Sequence, residues 1–148
     1  MSTMRQSLLR QQKVLWGALP TTQSFCQAAM PKRILVVDNE LRSREIIAHF
    51  LREANYEVAE ADDGVSAIAM LDHYEFDLMI CDVIMPQLGA FEVISYMKSR
   101  SLSTSVILIT GHPDLLAQRG LGHLPNFAKP FNMYDLLHMV KQLISSGS

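Results

Sequence analysis

Cysteine is nearly absent: Cys26 and Cys81 are the two in 148 residues. They form no spaced framework, which excludes a disulfide-stapled fold. Cys81 sits inside an apolar run, as expected of a reduced, buried thiol in a reducing compartment. No stretch of about 18 consecutive apolar residues occurs, so no membrane span is expected. His49, His73, His123 and His138 have no spacing that would ligate zinc. Gly64, Gly89 and Gly111 do not compose a phosphate-cradling loop. There is no short-period repeat and no low-complexity run. Acids are missing from residues 1–30, which carry Arg5, Arg10 and Lys13 alone.

The remaining ten lysines and arginines face all fifteen acids in residues 31–148, a formal −5. That balance argues against direct nucleic-acid binding, which requires phosphate neutralisation. It suits a cation site or basic partners. Hydrophobic content of 49% with 19% charged residues is ordinary for a soluble globular protein, and the length suits one domain.

A boundary falls near Met30. Residues 1–30 read as an N-terminal extension, either a disordered tail or a start placed too far upstream, with Met30-Pro31-Lys32-Arg33 as a natural beginning. A transit peptide ranks below both. From Lys32 onward a βα pattern repeats five times. Strands are expected at about 33–37, 56–60, 78–82, 105–109 and around Phe127-Ala128. The second strand alternates polar and apolar, as an edge strand does. Helices are expected at about 41–54, with Ile46, Ile47, Phe50 and Leu51 on one face, then after Asp63-Gly64, with Val65, Ile68, Ala69 and Leu71. Another is expected at 90–99, using Phe91, Ile94 and Met97, a weak one near Pro113, and the last at 132–144. Right-handed crossovers then give a three-layer α/β/α sandwich around a five-stranded parallel sheet. Only Ser-Ser-Gly-Ser would follow the last helix, with no output domain expected.

Four residues stand where apolar runs give out: Asp38, Asp82, Thr110 and Lys129. In an open parallel sheet, ligands bind beyond the carboxyl ends of the strands. Two acids, a hydroxyl and an ammonium would meet at one edge. Asp38 could instead cap the first helix, Asp82 a turn, and Thr110 could be a plain turn residue.

Val36-Val37-Asp38-Asn39-Glu40, Asp82-Val83-Ile84-Met85-Pro86, Ile109-Thr110-Gly111 and Lys129-Pro130-Phe131 together resemble the receiver domain of bacterial response regulators, over residues 32–145. The resemblance implies the flavodoxin-like strand order 2-1-3-4-5 and a phosphoacceptor at Asp82, charged by a sensor histidine kinase or phosphotransfer protein. It implies Mg²⁺ (or Mn²⁺) held by Asp38, Asn39, Asp82 and the backbone carbonyl of Ile84. Thr110 and Lys129 would bind the phosphoryl group, and the Lys129-Pro130 bond would be cis. The implied protein is a stand-alone cytoplasmic switch, not an enzyme, acting on an unknown protein partner and not on nucleic acid or membrane.

Several positions depart from the family pattern. Asn39 replaces the usual second acid, so the metal is expected to bind weakly. Glu40 either compensates through a water or points outward; the second reading is preferred. The glycine of Gln87-Leu88-Gly89-Ala90 comes one place early, and the interval from Thr110 to Lys129 is short, which predicts a truncated fourth helix. Asn126 stands where an aromatic is usual and Phe127 one place later, leaving the threonine–aromatic coupling open. His112 is either a modulator of phosphoryl hydrolysis or an exposed loop histidine. Competing readings are a phosphorylation-independent pseudo-receiver, a phosphatase or dehalogenase-like hydrolase, and a flavodoxin-like cofactor protein. Against the hydrolase, Ile84 occupies the place of its second acid.

Overall fold

Alternation within the apolar strands divides the core into two. The computed structural model describes residues 30–146, so expectations for residues 1–29 lie outside the described residues. Ten elements follow in order: β1 Arg33–Val37, α1 Leu41–Glu53, β2 Glu57–Ala61, α2 Gly64–His73, β3 Leu78–Asp82, α3 Ala90–Ser99, β4 Ser105–Thr110, α4 Asp114–Gln118, β5 Asn126–Ala128 and α5 Met133–Ser146. All four strand pairings are parallel, in the order β2-β1-β3-β4-β5.

Successive strand residues point to opposite faces. Ile34 and Val36, Leu78 and Ile80, and Ile107 and Ile109 pack with Ile47, Leu51, Leu136 and Val140 of α1 and α5. Leu35, Val37, Met79, Cys81 and Leu108 pack with Met70, Val93, Met97 and Leu116 of α2, α3 and α4. Each fully buried aliphatic side chain contributes about 1.5–3 kcal/mol, and these strands supply many on both sides. This is the expected three-layer α/β/α sandwich.

Three details differ from the sequence expectations. Ile46 is exposed, as are Val65 and Phe91. In α1 the sheet takes Ile47, Ala48 and Leu51 instead, while Phe50 meets Tyr134 of α5 edge-on, ring centroids 5.2 Å apart. An apolar stripe read from spacing is wider than the strip the sheet can cover. Secondly, β2 does not alternate: Glu57 is buried and the Glu60 side chain is only 6% exposed. Arg33 neutralises Glu57, and Arg44 and Arg52 share Glu60. An edge strand here keeps its acids inside because β1 brings a cation to Glu57 and α1 brings two to Glu60. Thirdly, β5 begins at Asn126, one residue before the expected pair.

Helix starts have local causes. Asp63 caps α2, its carboxylate accepting from Ser66 N–H at 2.7 Å. Gly89 caps α3, its N–H donating to Glu92 Oε2 at 3.0 Å. Between Asp82 and α3 the chain turns through Gln87, a non-glycine residue at φ 67°. Gly64 opens α2 directly beneath this loop: a Cβ there would collide with the Leu88 carbonyl oxygen and sit 2.6 Å from Leu88 Cβ. α4 has five residues, as the short interval predicted.

Candidate functional site at the carboxyl edge of the sheet

β1 and β3 are neighbours, and their register carries Asp38 and Asp82 to the same edge. Asp38 is fully buried and Asp82 nearly so. The two carboxylates are held alike. Asp38 Oδ1 accepts the Glu40 N–H at 2.9 Å, and Asp82 Oδ1 accepts the Ile84 N–H at 3.2 Å. Each thus closes a turn on its own chain two residues ahead. Their other oxygens converge on one cation: Lys129 Nζ lies 2.9 Å from Asp38 Oδ2 and 3.1 Å from Asp82 Oδ2. Lys129 arrives from β5, where its N–H donates to the Thr110 carbonyl at 2.7 Å and its bond to Pro130 is cis, as expected.

One ammonium cannot neutralise two buried carboxylates, and the titration behaviour follows. Burial raises Asp82 above the ordinary carboxylate range, aided by the Asp38 charge and opposed by Lys129 and the Ile84 N–H. Burial by itself would lower Lys129, but its hydrogen bonds to both carboxylates prevail and raise it. Burial also pushes the Cys81 thiol up, away from reactivity; its Sγ lies 3.3 Å from the Asp82 carbonyl oxygen, to which it donates.

Thr110 is 1% exposed, and its hydroxyl accepts the His112 N–H at 2.9 Å. His112 itself is exposed, as are Asn39 and Glu40. Glu40, not Asp38, occupies the cap position of α1, and it makes no side-chain cap there. Phe127 belongs to the α1/α5 face and packs on Phe131, ring centroids 5.8 Å apart. Beside Thr110 in register stands Ala128, and Asn126 donates to the Leu124 carbonyl at 2.8 Å. Strand alternation therefore keeps the aromatic off the face where Asn126 and Ala128 lie.

Two site neighbours escaped the sequence reading. Arg44 donates from Nη1 to the Asp38 carbonyl at 2.9 Å, and Glu60 holds its Nε at 3.2 Å. The overlooked signal was a basic residue in line with buried Ala48 and Leu51 on α1, at i, i+4 and i+7.

No group of three or more His, Cys, Asp or Glu capable of holding a metal occurs among the described residues. Two convergent carboxylates nevertheless fit Mg²⁺, which keeps several waters and needs only one or two.

The family model for the response regulator receiver domain matches residues 34–141. The chain belongs to this family. It is 33% identical over 129 residues to the transcriptional regulatory protein PdtaR of Mycobacterium tuberculosis, covering 85% of this chain and 62% of that protein. It is also 33% identical over 106 residues to the transcription factor SKN7 of Saccharomyces cerevisiae, covering 70% of this chain but 17% of that one. The receiver thus spans less than two thirds of these curated relatives. Among solved structures, it resembles the Thermotoga maritima response regulator TrrA in complex with Mg²⁺ and BeF, with 31% identity and a TM-score of 0.69 over 76% of this chain and 98% of that one. The chemotaxis protein CheY4 of Vibrio cholerae matches with the same identity, TM-score and coverage. Members of the family are signalling domains of two-component systems, in which phosphorylation and Mg²⁺ binding are standard. No helix among the described residues is long and apolar enough to cross a membrane.

Proposed function

We propose that the protein accepts a phosphoryl group on Asp82 from a histidine kinase or phosphotransfer protein, and thereby switches binding to a downstream protein partner in the cytoplasm. The observation that carries this reading is the Lys129 ammonium shared between Asp82 and Asp38 at a strand edge. An Asp82 carboxylate oxygen attacks phosphorus, forming a P–O bond as the P–N bond of phosphohistidine breaks. The imidazole keeps that electron pair and takes a proton from solvent. Such transfer needs little covalent work and much positioning. Mg²⁺ or Mn²⁺, when bound, neutralises charge on the transferring group; Asp38, Asp82, Asn39 and the Ile84 carbonyl would hold it. With Asn39 neutral, binding is weak. Lys129 follows a phosphoryl oxygen as a mobile point charge. Thr110 turns its hydroxyl to the new dianion, and the loop bearing His112 moves with it. The acidic body favours protein partners over nucleic acid, membrane plays no part, and no multiple-turnover chemistry is invoked. Residues 31–148 make up the receiver, residues 1–30 an extension to it.

The test is intact-mass spectrometry after incubation with acetyl phosphate, with and without Mg²⁺. One Mg²⁺-dependent phosphoryl group, absent in Asp82→Asn, is the expected result. Failure of wild type and Asn39→Asp alike, also with cognate kinase, would favour a second reading, a phosphorylation-independent interaction module. That reading draws support from the exposed Asn39 and from the aromatic turned away from the Asn126 face.

A further inference from the structure

Asp38 has every polar group engaged. Its N–H donates to the Ala61 carbonyl at 3.1 Å, Oδ1 accepts from Glu40, Oδ2 from Lys129, and its carbonyl accepts from Arg44. The last bond comes from a three-residue ion cluster between α1 and β2. Glu60, with its side chain 6% exposed, takes Arg44 Nε on one oxygen and Arg52 Nη1 on the other, both at 3.2 Å. Arg52 donates its Nη2 to the Val58 carbonyl at 2.8 Å, which secures the cluster to β2. Arg44, in turn, reaches past Glu60 to the backbone of the acidic residue.

We propose that Arg44, anchored by Glu60, is a positioning residue that fixes the Asp38 backbone and so sets the affinity of the site for Mg²⁺. This rests on the reading of Asp38 as a metal ligand. A guanidinium locked to a carboxylate is a rigid fork. Its hold on the carbonyl fixes the backbone from which the Asp38 side chain departs, while Glu40 N–H and Lys129 hold the carboxylate itself. The sign of the effect separates positioning from plain electrostatics. As a mere like charge, Arg44 would repel Mg²⁺, and its removal would tighten binding. As a positioning group, its removal loosens Asp38 and weakens binding, roughly tenfold on the scale of residues that orient metal ligands.

The experiment is calorimetric titration of the full chain with MgCl₂, alongside thermal melts in EDTA. Arg44→Met is expected to weaken Mg²⁺ binding about tenfold. Arg52→Met shares the Glu60 cluster without touching Asp38, and is expected to lower the melting temperature while leaving Mg²⁺ affinity near wild type. Glu60→Gln keeps the shape, releases Arg44 and serves if Arg44→Met does not fold; it is expected to weaken binding in the same direction. Unchanged or tighter binding in Arg44→Met, or in Glu60→Gln where that stands in, overturns the proposal. Equal weakening in Arg52→Met also overturns it, because the effect would then be general destabilisation. Asp38→Asn separates the two levels: if it binds Mg²⁺ like wild type, the metal-ligand reading falls as well.

Discussion

At the scale of single residues, the carboxyl edge carries two acids and one cation, and the ionisation of Asp82 and Lys129 bears on stability without metal. Asp82 is raised by burial, so the folded state holds its proton more tightly than the unfolded chain does. Stability then falls as pH rises from the ordinary value of 3.8 through the higher folded one. Asp82→Asn should remove that loss and melt above wild type at neutral pH in EDTA; thermal melts from pH 4 to 7 check the divergence. Lys129 is raised as well, so its contribution is complete below the ordinary value of 10.5 and disappears above the folded one. Denaturation midpoints in urea should drop through that alkaline window for wild type and much less for Lys129→Met. Asn39→Asp returns a carboxylate to the edge. At about 5 Å in a water-like medium, a carboxylate attracts a divalent cation by about 1.7 kcal/mol. Mg²⁺ should accordingly bind that variant about an order of magnitude more tightly by calorimetry.

At the scale of elements, the loop between β3 and α3 depends on what lies beneath it. Gly64 matters for a close approach: its missing Cβ leaves room for Leu88. Gly64→Ala should cost about 1–3 kcal/mol as the backbone of the Leu88 turn shifts, measured by urea denaturation. Spectra of the amides near Asp82 should change with it. The same element scale shows where spacing misleads. The α1 stripe contained Ile46 and Phe50, but a helix against a sheet buries a strip set by its neighbours, and α5 reached Phe50 only. β2 looked half-solvated because it carries two glutamates, and Arg44 and Arg52 from α1 brought Glu60 inside. Such pairs lie 16 and 8 residues apart, beyond any periodic pattern.

At the scale of the whole molecule, five strands in the order β2-β1-β3-β4-β5 make one edge out of residues up to 91 positions apart. A ligand bound only by the folded state stabilises it through mass action. Mg²⁺ at ten times its dissociation constant should add about 1.4 kcal/mol. EDTA should abolish that gain, and so should Asp38→Asn. Thermal melts across a magnesium series provide the check.

The sequence by itself pointed to β1, β3 and β4, because short apolar runs set between helix-like stretches suit strands buried on both faces. It also determined the four edge residues, because each ends such a run. The short α4 and the displaced aromatic were legible as well, the first from the interval between Thr110 and Lys129 and the second from Phe127 standing one place after the family's usual aromatic position. Only the tertiary structure decided how these residues are charged and held. Lys129 became a shared cation because β1, β3 and β5 end side by side. Arg44 joined the edge because α1 lies across β1 and β2. Periodicity reports which face of an element is buried; it carries no information about which distant polar group will meet it there.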